Sequence, residues 1–482
     1  MVWSKVVVRR EPHAGHAVPD DGVLEESLRA LRAELGIPTG FDERVEAEAR
    51  EAAARPALPD ADWTDVPFVT VDPPGATDLD QALHVERRGH GYRVRYAIAD
   101  VPAFVRPGSA VDAEARRRGQ TLYAPDARVP LHPRVLSEGA ASLLPGGDRP
   151  AFVWVLDLDA DGRAVAVDVV RALVRSRAQL TYEGLQADLD AGRAPAAVEL
   201  LPEVGRLRVE LERERGGADL AIPEQEVVRV DGVYRLRFRP PLEVEGWNAQ
   251  VSLLTGMAAA DLMLAGGIGV LRTLPEPDRH AEARFHRQAA ALGHRWDAAQ
   301  PVGEFLRGLD ADDPRQLALL HESAALFRGA GYTPFDGAPP EVAAHAAVAS
   351  AYAHVTAPLR RLVDRFGLVV CHALCRGEEV PGWVRSALPQ LPDIMAASDR
   401  LAGALDRGSV DAAEAAVLAD RVGETFDAVV VDVDERSGHG DVQLVDPPVV
   451  ARCAGDALEL GDRVTVRLAV ADVRERRVRF ER

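Results

Sequence analysis

Lysine is almost missing from this chain: Lys5 is the only lysine among 57 basic residues, the rest being arginine. Such a bias can follow from genome composition as readily as from phosphate recognition, so it assigns no function. Cysteine is scarce as well. Cys371, Cys375 and Cys453 form an odd set without a C-x-x-C pair, which argues against a disulfide frame or a zinc site and for a reducing compartment. No run of ~18 apolar residues is present, and the opening MVWSKVVVRREPHAGHAVPDD is too polar and too broken for a secretory signal. The expectation is a cytoplasmic protein that does not engage membranes. Net positive charge is lacking too. At −19 the chain is unsuited to coating nucleic acid non-specifically, because such binding depends on basic groups neutralising phosphates. A basic channel inside an acidic shell stays open. There is also no P-loop, dinucleotide fingerprint or G-x-S-x-G motif.

What is present is a globular composition, 47% hydrophobic against 28% charged over 482 residues, enough for two or three domains. Residues 1–60 read as a short helical segment, LEESLRALRAEL and DERVEAEAREAAARPA, interrupted at Pro38 and Gly40. From VPFVTVD onward the pattern turns to strands. In GYRVRYAIADV the residues Tyr92, Val94, Tyr96 and Ile98 alternate with Arg93, Arg95 and Ala97, as in a half-buried strand that follows a turn at Gly89 and Gly91. After AFVWVLDLDADGRAVAVDVV, the segments NAQVSLLTGMAAADLMLAGGIGVL, HAEARFHRQAAALG, PRQLALLHESAALFRGAG and APLRRLVDRFGLVVCHALC read as helices. The class expected is therefore α+β over 61–418, strands first and helices later. Residues 420–482 read as short strands between Gly and Asp turns, the rhythm of a small OB-like β-barrel.

One cluster carries chemistry. VDPPGATDLDQALHV places Asp72, Asp78 and Asp80 within nine residues, just after a strand ends at Val71. Asp78 and Asp80 share a side if extended, and the PPG turn can bring Asp72 to face them. Convergent oxygens suit magnesium, which is usually held by one or two carboxylates plus phosphate, and a phosphodiester-cleaving site then follows naturally. Solvated turn aspartates explain the same spacing. Spacing alone leaves both readings open.

A second segment, HVTAPLRRLVDRFGLVV, suggests a helix with Thr356 as N-cap and Pro358 in its first turn. Leu359, Leu362, Val363, Phe366, Val369 and Val370 would form its buried face, with Arg360, Arg361, Asp364 and Arg365 on another side. Arg360 would then stand at the positive end of the helix, where a guanidinium fork can hold phosphate oxygens. An exposed Arg360–Asp364 ion pair, worth only ~0.3–0.5 kcal/mol, is the plainer alternative.

These segments together resemble the ribonuclease II, or RNB, family. D-x5-D-x-D after a V-x-V-D-P-P strand is similar to its signature. IADVPAFVRPGSAVDAEARRRGQTLYAPDARVPLHPRVLSEGAASLLPGGDRPAF, at 98–152, resembles its most recognisable stretch, and YAHVTAPLRRLVDRFG its T-S-P-I-R-R-Y-x-D segment. The resemblance implies a mixed sheet-and-helix catalytic domain around an RNA channel. It also implies hydrolysis of single-stranded RNA from the 3′ end to nucleoside 5′-monophosphates; a monomer is expected. By the same resemblance Asp72, Asp78 and Asp80 hold one or two magnesium ions, or manganese in their place, and Arg360 is the catalytic arginine. Tyr123 would meet the terminal nucleotide, while Tyr182, Arg361 and Thr356 would contact RNA. Gln81 stands where the family has a fourth aspartate, keeping a carbonyl oxygen for a metal but no charge.

Ser252 and Leu253 stand where the family has paired glutamates, and Asp406 with Arg407 only approximates its E-R-E. These departures define a rival expectation, an RNA-binding protein that keeps the channel with weakened catalysis. The C-terminal barrel resembles the family's S1-like module, though Phe426 and Phe480 are its only rings, a thin basis for base stacking. The family's pair of N-terminal cold-shock barrels is expected to be missing. Finally, DLDADGRAVAVD imitates a calcium loop, but its flanks read as strands and a hairpin turn accounts for it.

Overall fold

The computed structural model describes residues 7–10, 22–218, 224–230, 233–239, 241–297, 299–311, 313–433, 439–455 and 458–482. Its centre is a sheet in the order Ala61–Asp62, Ala164–Thr181, Phe68–Asp72, Gln81–Arg88, Gly91–Ala99, Asp148–Leu158. The long strand Ala164–Thr181 also pairs antiparallel with Asp148–Leu158, so five strands close a ring of pairings. The alternation in GYRVRYAIADV holds. Tyr92, Val94, Tyr96 and Ile98 face one core, with Trp154 and Leu156 and with Val251, Leu254 and Ala258 of the helix Glu243–Gly266. Ala97 and Ala99 face a second core with Phe68, Leu79 and the helices Glu43–Ala54 and Ala110–Arg118. The helix Glu243–Gly266 is long and apolar enough by composition to cross a membrane, but more than half of its apolar window is buried inside the protein.

Among the described residues, the strands Phe68–Asp72 and Gln81–Arg88 meet at one ladder pair, Val69 opposite Leu83. The ladder does not continue to Asp72 and Gln81, which pair instead with Thr181 and Ile98. The loop 73–80 joins those two ends, so the carboxylate segment lies where the two strands are no longer paired with each other.

The C-terminal residues form a closed barrel of Thr425–Val433, Gly440–Leu444, Val450–Ala454, Arg463–Asp472 and Arg477–Glu481. Phe426 and Phe480 are both buried in its centre, edge to face with centroids 6.0 Å apart, so neither ring is offered to a base. The N-terminal helix Val23–Glu34 packs on Leu391–Leu418 and reaches the barrel, where Ser27 Oγ donates to the Val473 carbonyl at 2.7 Å.

Three local expectations need correction. Residues 7–10 form a strand parallel to Glu224–Val230 where only helix was expected. The stretch GIGVL is not helical: the helix ends at Gly267, in left-handed geometry at φ 68°, and Ile268–Thr273 pairs with Gly331–Asp336.

The third correction bears on the site. The helix expected from Thr356 begins at Leu362. Backbone groups that a helical turn would use are claimed from outside it. Asp80 accepts the Leu359 N–H, Asp364 the Ala357 N–H, and Gln81 donates to the Thr356 carbonyl. On the other flank Thr121 N–H donates to Arg360 O and Leu362 N–H to Gly119 O. Ala357, which precedes Pro358, is biased away from helix in any case. Asp364 and Arg365 are buried rather than solvent-facing, Arg365 bonding to Asp112 at 2.5 Å.

Candidate active site

Asp72 is the last residue of its strand, and Pro73-Pro74-Gly75 reverses the chain there, with Ala76 N–H bonding to Pro73 O at 3.2 Å. Gly75 takes φ 78°, a conformation glycine adopts without the Cβ penalty. Ser142 then pins the returning chain, donating to Thr77 O at 2.7 Å and accepting Leu79 N–H at 2.9 Å. Leu79 is buried, so its neighbours Asp78 and Asp80 are held in place by the core rather than waving in solvent.

The three aspartates occupy different environments. Asp80 is buried; its Oδ1 accepts Leu359 N–H at 2.7 Å and its Oδ2 lies 3.6 Å from Arg360 Nε. Burial pushes its carboxyl up to about 8 against the pull of Arg360. Asp72 is raised to about 6, mainly by burial and further by the charge of Asp78. Its Oδ2 is buried with no hydrogen-bond partner among the described residues. Asp78 is paired with Arg128, whose guanidinium also holds Glu138 at 2.7 Å and Thr77 Oγ1 at 3.1 Å.

Gln81 is committed at both ends. Its Nε2 donates to Thr356 O at 2.6 Å, and its Oε1 accepts the Tyr96 hydroxyl at 2.7 Å, which lies 2.8 Å from Ser252 Oγ. The geometry therefore puts Gln81 to use as a clamp on the loop 356–361 and turns its carbonyl oxygen to Tyr96.

Arg360 is the residue this loop presents, with two-fifths of its side chain exposed beside Asp80. Arg361, expected to touch RNA, is turned inward instead. Its fork is held by both Asp364 oxygens at 2.8 Å. Thr356 is likewise buried, and its carbonyl serves Gln81.

Tyr123 keeps 40% of its surface exposed on the hairpin Leu122–Ala124/Ala127–Val129, directly opposite Arg128. Its hydroxyl, raised to about 12 chiefly by desolvation, also feels Arg360, Asp78 and Asp80. Tyr182 opens the helix Tyr182–Asp190 behind the Thr181 cap. Its hydroxyl accepts from Asn248 Nδ2 at 3.5 Å and is raised to about 12 by burial and the charge of Asp72. The structure thus gathers Asp72, Asp78, Asp80, Arg360, Tyr123 and Tyr182 into one site. Sequence reading missed Tyr96, Arg128, Glu138 and Asn248. Arg128 carried one signal, since the Pro125-Asp126 turn makes it the cross-strand partner of Tyr123.

Among the described residues, no three His, Cys, Asp or Glu side chains converge as a closed metal cage. Magnesium does not need one, since it keeps several waters and is completed by substrate oxygens. The Asp72 Oδ2, buried without a hydrogen-bond partner among the described residues, is an oxygen donor of the kind a hard divalent ion takes. The donor set is suited to a hard divalent ion.

Comparison with known proteins places these residues in context. The model of the RNB domain matches residues 61–375, and that of the RNase II-type exonuclease C-terminal S1 domain matches 424–482. Ribonuclease R of Escherichia coli (strain K12) is 27% identical over 95% of this chain and 61% of its own length. The chain thus spans about six tenths of such curated relatives. Among solved structures, Mycoplasma genitalium RNase R in complex with ribose methylated single-stranded RNA superposes with a TM-score of 0.83 at 19% identity, covering 94% of this chain and 77% of that one. Yeast Ssd1, described as a pseudonuclease, gives 0.68 at 17% identity over 92% of this chain and 55% of its own.

Proposed function

From the premise that this chain belongs to the RNB family, we propose that it hydrolyses single-stranded RNA from the 3′ end, releasing nucleoside 5′-monophosphates with the help of magnesium. One observation carries the reading. The loop ending at Asp80 and the loop bearing Arg360, 279 residues apart in sequence, are tied together by the bond from Leu359 N–H to Asp80 Oδ1. That contact sets the Asp80 carboxyl beside the partly exposed Arg360 guanidinium.

Asp72 and Asp80 are the residues that would hold magnesium, joined by Asp78 once it leaves Arg128. A bound ion supplies Lewis acidity that lowers the pKa of water and offsets charge on a phosphate. The remaining work falls to the chain. Arg360 can direct two N–H groups at the non-bridging oxygens of the scissile phosphate, where charge builds up in the transition state. Its backbone is fixed on both sides, so little reorganisation accompanies that contact. The exposed Tyr123 ring offers a stacking face for the terminal nucleotide, and the Tyr182 hydroxyl lies on the Asp72 side.

The test is a 3′-terminal degradation assay on a labelled oligoribonucleotide with magnesium, manganese or EDTA. Stepwise release of mononucleotides with a divalent ion, and none in EDTA, is the expected result. Intact RNA under every condition would refute the reading. A second reading, a channel that binds RNA with little turnover, is favoured by the neutral Gln81, whose amide is engaged by Thr356 and Tyr96. It predicts intact, bound RNA in the same assay.

A further inference from the structure

Ser252, Tyr96, Gln81 and Thr356 form a hydrogen-bond chain whose direction is fixed from one end. The Thr356 carbonyl can only accept, so Gln81 must present its amide nitrogen there, at 2.6 Å. Its amide oxygen then faces the Tyr96 hydroxyl at 2.7 Å and can only accept, so Tyr96 donates its single proton. Ser252, 2.8 Å away, is left as donor to Tyr96. Tyr96 is buried, and burial holds its hydroxyl well above its ordinary value, so it stays a donor throughout the working pH range. The chain of contacts crosses the core: from the helix Glu243–Gly266, through the strand Gly91–Ala99, to the first residue of Gln81–Arg88, and out to the loop that carries Arg360.

Asp80 and Gln81 are adjacent, and they grip that loop at two points. Asp80 takes the Leu359 N–H at 2.7 Å, and Gln81 gives to the carbonyl three residues earlier. Its other ties lie at Ala357, which Asp364 holds, and on the far flank, where Thr121 N–H donates to Arg360 O and Leu362 N–H to Gly119 O; among the described residues, Gln81 is the side chain that holds the Thr356 carbonyl.

We propose that Gln81, kept in one amide orientation by Tyr96 and Ser252, is a positioning residue that sets the loop 356–361 so that Arg360 meets the scissile phosphate. The catalytic consequence rests on the function proposed above, while the tethering does not. Gln81 and Ser252, two neutral residues that stand out separately in the sequence, thus become parts of one device. A carboxylate at 81 would be wrong for it, because it would set negative charge against the Thr356 carbonyl.

Two measurements test this on the full chain. Hydrogen–deuterium exchange of a peptide spanning 354–366 reads the tether whether or not the protein is a nuclease. Exchange should speed up there in Gln81→Leu, Gln81→Glu and Tyr96→Phe, and return to the wild-type rate in Ser252→Thr, which keeps the hydroxyl, but not in Ser252→Ala. Steady-state kinetics on a short oligoribonucleotide should show kcat lower by ~10- to 100-fold in the first three variants, as misplacement of a catalytic group implies. KM should stay within about threefold, because the groups that bind the substrate are untouched. Unchanged exchange in Gln81→Leu overturns the tether. Faster exchange with unchanged kcat overturns the positioning role. A wild-type protein that releases no nucleotides refutes the proposed function instead, and the exchange data then still decide on the tether.

Discussion

Replacing Asp80 by asparagine should abolish activity and stabilise the metal-free fold, a pairing that a purely structural aspartate would not give. Asn keeps a carbonyl oxygen for the Leu359 N–H, so the link at 2.7 Å survives. What disappears is a buried carboxyl raised from 3.8 to about 8. A raised carboxyl pKa means that the folded chain holds the proton more tightly than the unfolded one. Its stabilisation is complete below about pH 4 and is lost as pH rises through about 8. At about pH 7 the mismatch corresponds to roughly 4 kcal/mol, at about 1.4 kcal/mol per pH unit. The asparagine amide would, however, turn an N–H towards the Arg360 guanidinium, 3.6 Å from the present oxygen, which offsets part of that gain. A net stabilisation of ~1–2 kcal/mol near pH 8, vanishing towards about pH 4, is the expectation. Thermal or denaturant unfolding in EDTA across that range checks it. In the 3′-end assay with magnesium, kcat should fall at least ~10²- to 10³-fold, while RNA is bound at least as tightly because one negative charge is gone. A variant that degrades RNA at the wild-type rate, or that is less stable than wild type throughout the pH range, would refute the reasoning.

Three further outcomes follow from the same structure. Arg360→Lys keeps the charge but loses the fork, so kcat should drop ~10- to 100-fold while the melting temperature stays put, since the side chain is partly exposed and its ion pair with Asp80 is long. Arg128→Met removes the guanidinium shared by Asp78 and Glu138, and titration calorimetry should then find magnesium bound several-fold more tightly, on the order of 1 kcal/mol. Glu414, buried on Leu391–Leu418, is pushed up to about 8 by burial and by the charge of Asp411. Its stabilising contribution is therefore lost as pH rises from 4.5 through about 8. Glu414→Gln should be more stable than wild type by ~1–2 kcal/mol at about pH 9 and little different at about pH 4, as unfolding curves would show.

Legibility in the sequence followed contact range. The barrel strands and GYRVRYAIADV were readable because each is a local alternation closed by a nearby turn. Asp72, Asp78 and Asp80 were readable as a group because they share one turn. Thr356 was misplaced as a helix cap for the opposite reason. Thr, Pro and an apolar period of 3.6 argued for a helix, but the groups that prevent it are Asp80, Gln81 and the backbone at 119–121, all distant in the chain. Tyr96 looked like an ordinary core residue, and its ring is one; only its hydroxyl is functional, and the Ser252 partner lies 156 positions away. In GIGVL a short apolar run fits helix or strand equally well, and the Gly266-Gly267 pair was the stop signal that decided it.

The charges of the assembled site also bear on how RNA can enter it. Asp72, Asp78 and Asp80 with Glu138 face two guanidiniums, Arg128 and Arg360, and Arg128 is already shared between two of those acids. When all four carboxyls are ionised the bare site is negative, and a phosphodiester adds to that charge. The surrounding chain, at −19 overall, does not relieve it, since charges beyond ~10 Å are largely screened in ordinary salt. A phosphate can therefore settle beside Arg360 only as a cation settles against Asp72 and Asp80, or as protons do. If RNA and a divalent ion bind as proposed, their binding is reciprocal, each raising the affinity for the other by the same factor. The arginine that matters for this balance is partly exposed, while Arg361 and Arg365 are spent on Asp364 and Asp112. The acidic composition is thus compatible with an RNA substrate because a few placed charges, rather than the net charge, govern the approach to the site.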